Sequence, residues 1–249
     1  MTELRGALAA QERAWHERPF LRRLYHGWYE EIARRLAGVR GETVELGSGI
    51  GRLKEAVPDV VTTDVEATSW ADWVVDAERL PFEGDSLANL VLVDVFHHLA
   101  RPAAFLNEAA RVLAPAGRVV ILDPFCSPVS TLAYKAFHHE RTDLHAAPFG
   151  DDDAVAEAPL ASNQARATLV FFRALDEFER RWPTLRVRER RRLAVLAYPL
   201  SGGFTKRPLI PRSLARPVLA LDRLLEGPAA PLAAFRCLVV LERLSSSGE

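Results

Sequence analysis

Val-Glu-Leu-Gly-Ser-Gly-Ile-Gly-Arg-Leu, residues 44–53, is the stretch that decides the fold of this 249-residue chain. Residues 43–46 predict a short strand, and Gly47, Gly49 and Gly51 follow it at every second position. Glycines at such a turn let the backbone bend sharply and let a ligand approach without a Cβ in the way. The motif therefore predicts a strand, a ligand-binding loop and a helix, in that order.

The spacing of these glycines indicates the kind of ligand. A dinucleotide-binding fingerprint, Gly-x-Gly-x-x-Gly, would place its third glycine at position 52, which is Arg52. The Gly-x-x-x-x-Gly-Lys-Ser/Thr motif of a phosphate-binding loop does not occur in the sequence. The loop therefore indicates a nucleoside-like ligand without an obvious need for a pyrophosphate site.

Apolar runs that alternate with predicted helices continue on both sides of this loop. The predicted strands cover residues 43–46, 60–63, 73–75, 90–93, 118–122, 185–198 and 235–244. Nearly unbroken Val/Ile/Leu strands that alternate with helices are typical of a parallel sheet covered on both faces. The predicted fold class is α/β: a Rossmann-like, doubly wound, mostly parallel seven-stranded sheet with helices on both faces and a helical lid or insertion.

Four of the predicted strands end in an aspartate: Asp64, Asp76, Asp94 and Asp123. In doubly wound sheets the ligand crevice lies outside the carboxyl ends of the strands, so these side chains are expected near one edge. Asp64 can accept hydrogen bonds from both hydroxyls of an unphosphorylated ribose. Asp76 and the backbone N–H of Ala77 can read the exocyclic amine and a ring nitrogen of adenine.

The remaining segments give the domain organisation. Residues 3–37 predict one helix, because an apolar stripe recurs at three- and four-residue steps: Leu21, Leu24, Trp28, Ile32 and Leu36. A single domain is expected, with an N-terminal helical cap over residues 1–40, a cofactor-binding core over 41–124, and a remainder with lid insertions over 125–249.

Composition narrows the function classes. A formal net charge of -1, with 49% hydrophobic and 26% charged residues, is that of an ordinary soluble protein and favours neither nucleic acid nor an anionic membrane. Only three of the 32 basic residues are lysines, which leaves 29 arginines and suggests a GC-rich bacterial genome.

Two cysteines are too few for a disulfide framework, so a cytoplasmic location is expected. No apolar run approaches the roughly 20 residues of a membrane span, so no stable membrane insertion is expected.

Five motifs follow one another with natural spacings over about 80 residues: VELGSGIGRL, TTDVE, VVDAERLPF, VLVDVFHHL and EAARVLAPAGRVVILDP. Together they resemble the successive motifs of class I S-adenosylmethionine-dependent methyltransferases. They most resemble the large small-molecule branch that carries Asp-Ala-x-x-Leu-Pro-Phe, the methyltransferase type 11 group. The resemblance implies S-adenosylmethionine as cofactor, S-adenosylhomocysteine as product and a small-molecule methyl acceptor.

The resemblance also implies which residues bind the cofactor. The amino-acid part is assigned to the glycine loop, namely Glu45, Gly47, Ser48, Gly49 and Gly51. Asp64 and Val65 are assigned to the ribose and adenine, Asp76 and Ala77 to the adenine edge, and Asp94 and Val95 to the methionine part. For Asp94 two readings stay open, a role of the carboxylate or of the backbone carbonyl alone.

Candidate catalytic residues lie where the acceptor pocket should begin. A base is needed only if the acceptor must lose a proton, as a hydroxyl or an activated carbon must, whereas a neutral amine attacks unaided. His98 is the first candidate, since many relatives carry a histidine there, and His97 is the second; either can instead bond to the backbone or cap a helix. His139 belongs to a third group, Phe137 to His145, which can line the acceptor pocket, ligate a metal or be solvated. Its spacing matches no familiar metal signature, so no metal is expected.

Three alternatives remain beside the methyltransferase. A non-catalytic S-adenosylmethionine-binding or scaffold protein would keep the fold without turnover. An NAD-dependent oxidoreductase is disfavoured by Arg52. The last alternative is an RNA or protein methyltransferase. No Asn/Asp-Pro-Pro-Tyr motif follows the fourth strand, which argues against aminated bases as acceptors, and the basic run Arg186–Arg192 has no interleaved aromatics. The oligomeric state is left open.

Overall fold

A seven-stranded sheet forms the centre of the computed structural model, which describes residues 2–137, 140–156 and 161–245. The strand order is β3-β2-β1-β4-β5-β7-β6, and all pairs are parallel except those that β7 makes with β5 and β6. The strands are β1 (Glu42–Leu46), β2 (Val61–Asp64), β3 (Trp73–Val74), β4 (Leu87–Val93), β5 (Leu113–Pro124), β6 (Leu185–Leu193) and β7 (Arg236–Arg243). The predicted fold class is confirmed.

The strand order reverses between β1 and β4, which are hydrogen-bonded neighbours with Val44 opposite Leu90. Ligands of doubly wound sheets bind outside the carboxyl ends of the strands at such a switch point. The glycine loop follows β1 and Asp94 follows β4, so both lie at this point. The middle of β4 and β5 is fully buried because helices cover both faces.

Ten α-helices are described. They are α1 (Thr2–Glu17), α2 (Pro19–Ala33), α3 (Pro102–Val112), α4 (Pro128–Phe137), α5 (Asp153–Ala156), α6 (Arg166–Thr168), α7 (Leu175–Arg181), α8 (Ala197–Ser201), α9 (Ala215–Leu225) and α10 (Ala230–Ala233). Short 3-10 helices cover Arg52–Glu55, Phe96–His98 and Arg212–Leu214. Among the described ranges, no helix is both long enough and apolar enough to cross a bilayer.

The N-terminal region differs from the prediction of one helix over 3–37. The helix breaks at Arg18, and Pro19 begins α2, because proline lacks the N–H that a continuous helix would need there. The predicted apolar stripe is buried in α2 at Leu21, Leu24, Trp28 and Ile32. Both helices contribute buried residues to the same hydrophobic cluster.

The predicted strand 185–198 is too long. β6 ends at Leu193, and Ala194 adopts a left-handed φ of 60° that turns the chain away from the sheet. The N–H groups of Leu196 and Ala197 then donate to Asp222 Oδ1 at 2.5 and 3.1 Å and begin α8. The carboxylate that anchors this turn is 25 residues away from Ala197, which is why the local pattern could not reveal it.

Candidate active site

The glycine loop is a tight left-handed turn. Gly47, Gly49 and Gly51 have φ values of 66°, 53° and 63°. A Cβ on Gly47 would lie 2.6 Å from Val95 Cγ2, and one on Gly51 would lie 3.2 Å from the Trp70 carbonyl oxygen. The left-handed conformation favours glycine at all three positions, and close packing also requires it at Gly47, against the chain that follows β4, and at Gly51, against the chain that follows β2.

Helix α1 covers this loop. A Cβ on Gly49 would lie 3.5 Å from Gln11 Oε1, so the side chain of Gln11 stands directly over the loop backbone. Arg52 donates to Glu12 at 2.5 Å, and its guanidinium lies 5.8 Å from the ring centroid of Trp15. Arg52, which stands where the dinucleotide fingerprint has its third glycine, thus holds α1 in contact with the loop through Glu12 and Trp15.

Asp64 joins the second strand to the loop. Its Oδ2 accepts from the Gly49 N–H at 3.1 Å, and its Oδ1 accepts from the Val65 N–H at 2.8 Å. Burial raises the pKa of Asp64, and the backbone N–H groups offset part of that rise. The Val65 side chain is 59% exposed beside it. The carboxylate is held rigidly with its remaining lone pairs available to a ligand.

Glu45 is a buried acid with an incomplete set of hydrogen bonds. It is fully buried at the end of β1, and its Oε2 has no hydrogen-bond partner among the described residues. Burial, and next the charge of Asp64, raise the pKa of Glu45 to about 8. The Ser48 Oγ is likewise buried and without a partner in the described part of the chain. The loop therefore offers two polar atoms whose bonds the protein does not itself complete.

A third group of side chains surrounds Asp94. This residue has a left-handed φ of 57°, and its carboxylate accepts from Tyr25 Oη at 2.7 Å and pairs with the Arg236 guanidinium. Arg236 is buried, and its guanidinium lies 4.1 Å from the ring centroid of Tyr198. The Asp94 carboxylate is thus occupied by groups from α2 and β7.

His97 and His98 lie in the 3-10 helix after Asp94, with ring centroids 4.2 Å apart. His97 is buried, and its Nδ1 lies 2.9 Å from Asp123 Oδ1. Burial, and next the charge of His98, lower the pKa of His97 to about 3, so its imidazole is neutral at physiological pH. His98 is only half-buried, and its Nδ1 donates to the Ala161 carbonyl at 2.9 Å. In the neutral ring this leaves the lone pair on Nε2.

Glu140 completes this cluster. Its Oε2 lies 3.7 Å from His97 Nε2 and accepts from the Gln164 side-chain amide. One ligand atom each of His97, His98 and Glu140 lies within 4.8 Å of the others, a grouping that can hold a metal ion. The expectation that no metal binds stays a prediction.

Sequence comparison identifies the segment that carries the loop. Residues 44–121, about a third of the chain, match the family described as "Methyltransferase domain". The segment that carries the glycine loop is therefore similar to a methyltransferase domain. No curated protein matches the sequence.

Solved methyltransferase structures share the fold over most of the chain. A geranyl diphosphate methyltransferase in complex with S-adenosylmethionine has a TM-score of 0.54 and 15% identity, covering 90% of this chain and 87% of that one. A geranyl diphosphate C-methyltransferase from Streptomyces coelicolor A3(2) has a TM-score of 0.56 and 12% identity, covering 90% and 80%. A methyltransferase in complex with the Haloferax volcanii Trm112 activator has a TM-score of 0.54 and 17% identity, covering 98% and 97%. At these identities the likeness shows the fold.

The two buried polar atoms without hydrogen-bond partners, Glu45 Oε2 and Ser48 Oγ, suit S-adenosylmethionine, the cofactor that a methyltransferase domain implies. S-adenosylmethionine carries an ammonium and a sulfonium on its amino-acid part, and Glu45 is a buried acid whose Oε2 has no hydrogen-bond partner in the part of the chain that the structure describes. At the opposite end, Asp76 is exposed after β3, with its Oδ1 accepting from the Glu78 N–H at 2.8 Å. Trp73 beside it is half-exposed, which leaves an apolar surface for a base. The residues present suit this ligand.

The fold brings most of the predicted site residues to one edge of the sheet, but it divides the predicted histidine cluster. Glu140 joins His97, whereas the Asp143 carboxylate accepts from the His145 N–H at 2.8 Å in a separate exposed turn. His139 lies outside the described residues.

The sequence prediction missed Arg236 as a partner of the Asp94 carboxylate. Arg236 is the one charged residue within the apolar run 235–241, and this is the sequence signal that could have identified it as a buried partner. Tyr25 of α2 is the second partner of this carboxylate.

Proposed function

We propose that the chain transfers a methyl group from S-adenosylmethionine to a small-molecule acceptor and releases S-adenosylhomocysteine. The observation that carries this proposal is the set of incompletely bonded acids at the switch point of the sheet, with Glu45 and Asp64 on the cofactor side. Half-buried His98, beyond Asp94, marks the acceptor side. The common fold with two geranyl diphosphate methyltransferases supports a small acceptor.

The cofactor-binding groups are proposed residue by residue. Glu45 binds the cationic amino-acid end, and Asp64 accepts from the ribose hydroxyls. The other residues assigned to the cofactor are Gly47, Ser48, Gly49, Gly51, Val65, Asp76, Ala77, Asp94 and Val95. Because Tyr25 and Arg236 already occupy the Asp94 carboxylate, its backbone is the part of Asp94 that contacts the cofactor.

The two histidines have different roles in this proposal. S-adenosylmethionine supplies an electrophilic methyl group, and the chain must align the acceptor with it and exclude water. His98 takes the acceptor's proton at Nε2, since the Ala161 carbonyl fixes the tautomer that leaves this nitrogen basic. His97, with a pKa of about 3, is too weak a base near neutral pH and instead positions the His98 ring. A base of this kind suits a hydroxyl or an activated carbon as acceptor.

The test is to incubate the full chain with S-adenosylmethionine labelled at its methyl group and with fractionated small metabolites, and to measure the label transferred to each fraction. His98→Gln cannot accept the proton, so we expect labelling at least about a hundredfold slower with unchanged cofactor affinity. The matched control is His145→Gln, at an exposed residue outside the cluster of His97, His98 and Glu140, which should label like the wild type. Cofactor binding without labelling of any fraction would instead support the non-catalytic binding or scaffold protein.

A further inference from the structure

Most of the exposed large apolar side chains lie in α4, in residues 209–224 and in α10. Twelve large hydrophobic residues are exposed in the described ranges, of which Val65, Trp73 and Val74 border the adenine end of the crevice and Leu244 follows β7. The other eight form what we call the leucine face: Val129, Leu132, Phe137, Leu209, Leu214, Leu221, Leu224 and Leu232. Leu209 and Leu224 are 72% and 74% exposed, which is far beyond what core packing leaves open.

Packing contacts join the segments of the leucine face. Helix α4, which carries Val129, Leu132 and Phe137, packs against α10, which carries Leu232. The Lys206 ammonium lies 5.1 Å from the ring centroid of Phe137 and so brings the segment before Leu209 to the end of α4. Soluble proteins rarely expose contiguous apolar surface of this kind without a partner.

The segment 203–221, which carries Leu209, Leu214 and Leu221, has charges of one sign. Residues 203–221 contain no acid, and Lys206, Arg207, Arg212 and Arg216 are all exposed. The next acid, Asp222, is buried and accepts from the N–H groups of α8. The formal charge of -1 for the whole chain therefore conceals a local concentration of cations around the exposed leucines.

We propose that the leucine face docks on the surface of an anionic lipid bilayer. Helix α9 buries Ala215 and Asp222 and exposes Leu221 and Leu224 beside Arg216 and Arg223, the combination by which an amphipathic helix lies in a membrane interface. Lipid headgroups supply the anions and acyl chains take the leucines. Docking of this kind needs no membrane-spanning helix.

Charge separates this occupant from a second copy of the chain. A symmetric dimer built on the leucine face would bring the same surface of both copies together, so cations would face cations. An anionic bilayer instead complements them, and the attraction weakens as salt screens it. Bilayer docking does not depend on the proposed reaction, so either proposal can fail alone.

The test is vesicle flotation of the full chain at low and high salt. One set of vesicles contains phosphatidylcholine alone, and the other contains equal parts of phosphatidylcholine and phosphatidylglycerol. We expect at least about tenfold more protein on the anionic vesicles at low salt, and a loss of that excess at high salt. Equal binding to both sets, or none, overturns the proposal.

Two double variants and two controls assign the binding to the face. Leu221→Ser with Leu224→Ser should reduce vesicle binding at least about tenfold, and Arg212→Glu with Arg216→Glu should do the same. The controls are Leu244→Ser and Arg40→Glu, which change exposed residues outside the face and should bind as the wild type. Thermal unfolding and cofactor titration of each variant verify the fold.

Two outcomes of this series contradict the docking. The first is equal loss of vesicle binding in the controls. The second is a dimer, seen by sedimentation, that the leucine variants dissociate while vesicle binding stays absent, because the face would then be a contact between copies of the chain.

Discussion

Replacing Glu45 by glutamine should stabilise the cofactor-free protein and make its stability less dependent on pH. The native state holds the Glu45 proton up to about pH 8, whereas an unfolded chain releases it near the ordinary value of 4.5. Between these values the unfolded state binds fewer protons, so the free energy of unfolding falls as the pH rises. At about 1.4 kcal/mol per pH unit, the penalty at pH 7 is about 3 kcal/mol.

The assay is urea or thermal unfolding of the wild type and Glu45→Gln between pH 4 and pH 8. We expect a difference near zero at the acid end that grows to about 3 kcal/mol at pH 7, which for a chain of this length raises the melting temperature by roughly 10 °C. The matched control is Glu42→Gln at the exposed start of the same strand, where a surface substitution should matter little at any pH.

A stability difference that does not change with pH would refute this reasoning, because only the buried ionisation predicts the slope. The account also predicts an opposite effect on function. Glu45→Gln removes the anion proposed for the cationic end of S-adenosylmethionine, so the more stable variant should bind the cofactor more weakly, as strained ligand sites commonly do.

The other predictions concern three separate contacts. Asp64→Ala should weaken cofactor binding, measured by calorimetry, by roughly 1.5–3 kcal/mol for each lost charge-assisted hydrogen bond, and unchanged affinity would remove Asp64 from the ribose. Arg52→Ala should release α1, because the bond to Glu12 and the contact with Trp15 are lost. Hydrogen exchange should then speed up in α1 but not in α3, and equal protection would show that α1 is held by other contacts. A chelator should leave methyl transfer unchanged if His98 acts as a base, while abolition of activity restored by a divalent metal would assign the cluster of His98 and Glu140 to a metal.

Much of the fold could be predicted because the decisive signals are local. Unbroken apolar runs, glycines and terminal aspartates within residues 43–124 gave the parallel strands and the position of the crevice. The helix over 3–37 was wrong because Pro19 outweighs the continuous apolar stripe. The end of β6 was wrong because it depends on Ala194 and on a carboxylate from α9.

Part of the side-chain arrangement followed from the sequence, whereas the cofactor and acceptor assignments stay predictions. Asp64 contacts the glycine loop as its strand-end position implied. The ion pair between Asp94 and Arg236 could not be predicted from the sequence. Arg236 is 142 residues distant and reaches Asp94 only because β7 pairs with β5. The cytoplasmic location, the bacterial origin, the three segments of the chain and the lack of a nucleic-acid partner stay predictions.

A crystal structure of the full chain grown with S-adenosylhomocysteine tests the central claim most directly. The account predicts the nucleoside beside Gly47–Gly51, with its ribose hydroxyls on Asp64 and its amino-acid end at Glu45. A loop that stays closed under Gln11 at saturating ligand, with the nucleoside elsewhere or absent, would contradict it.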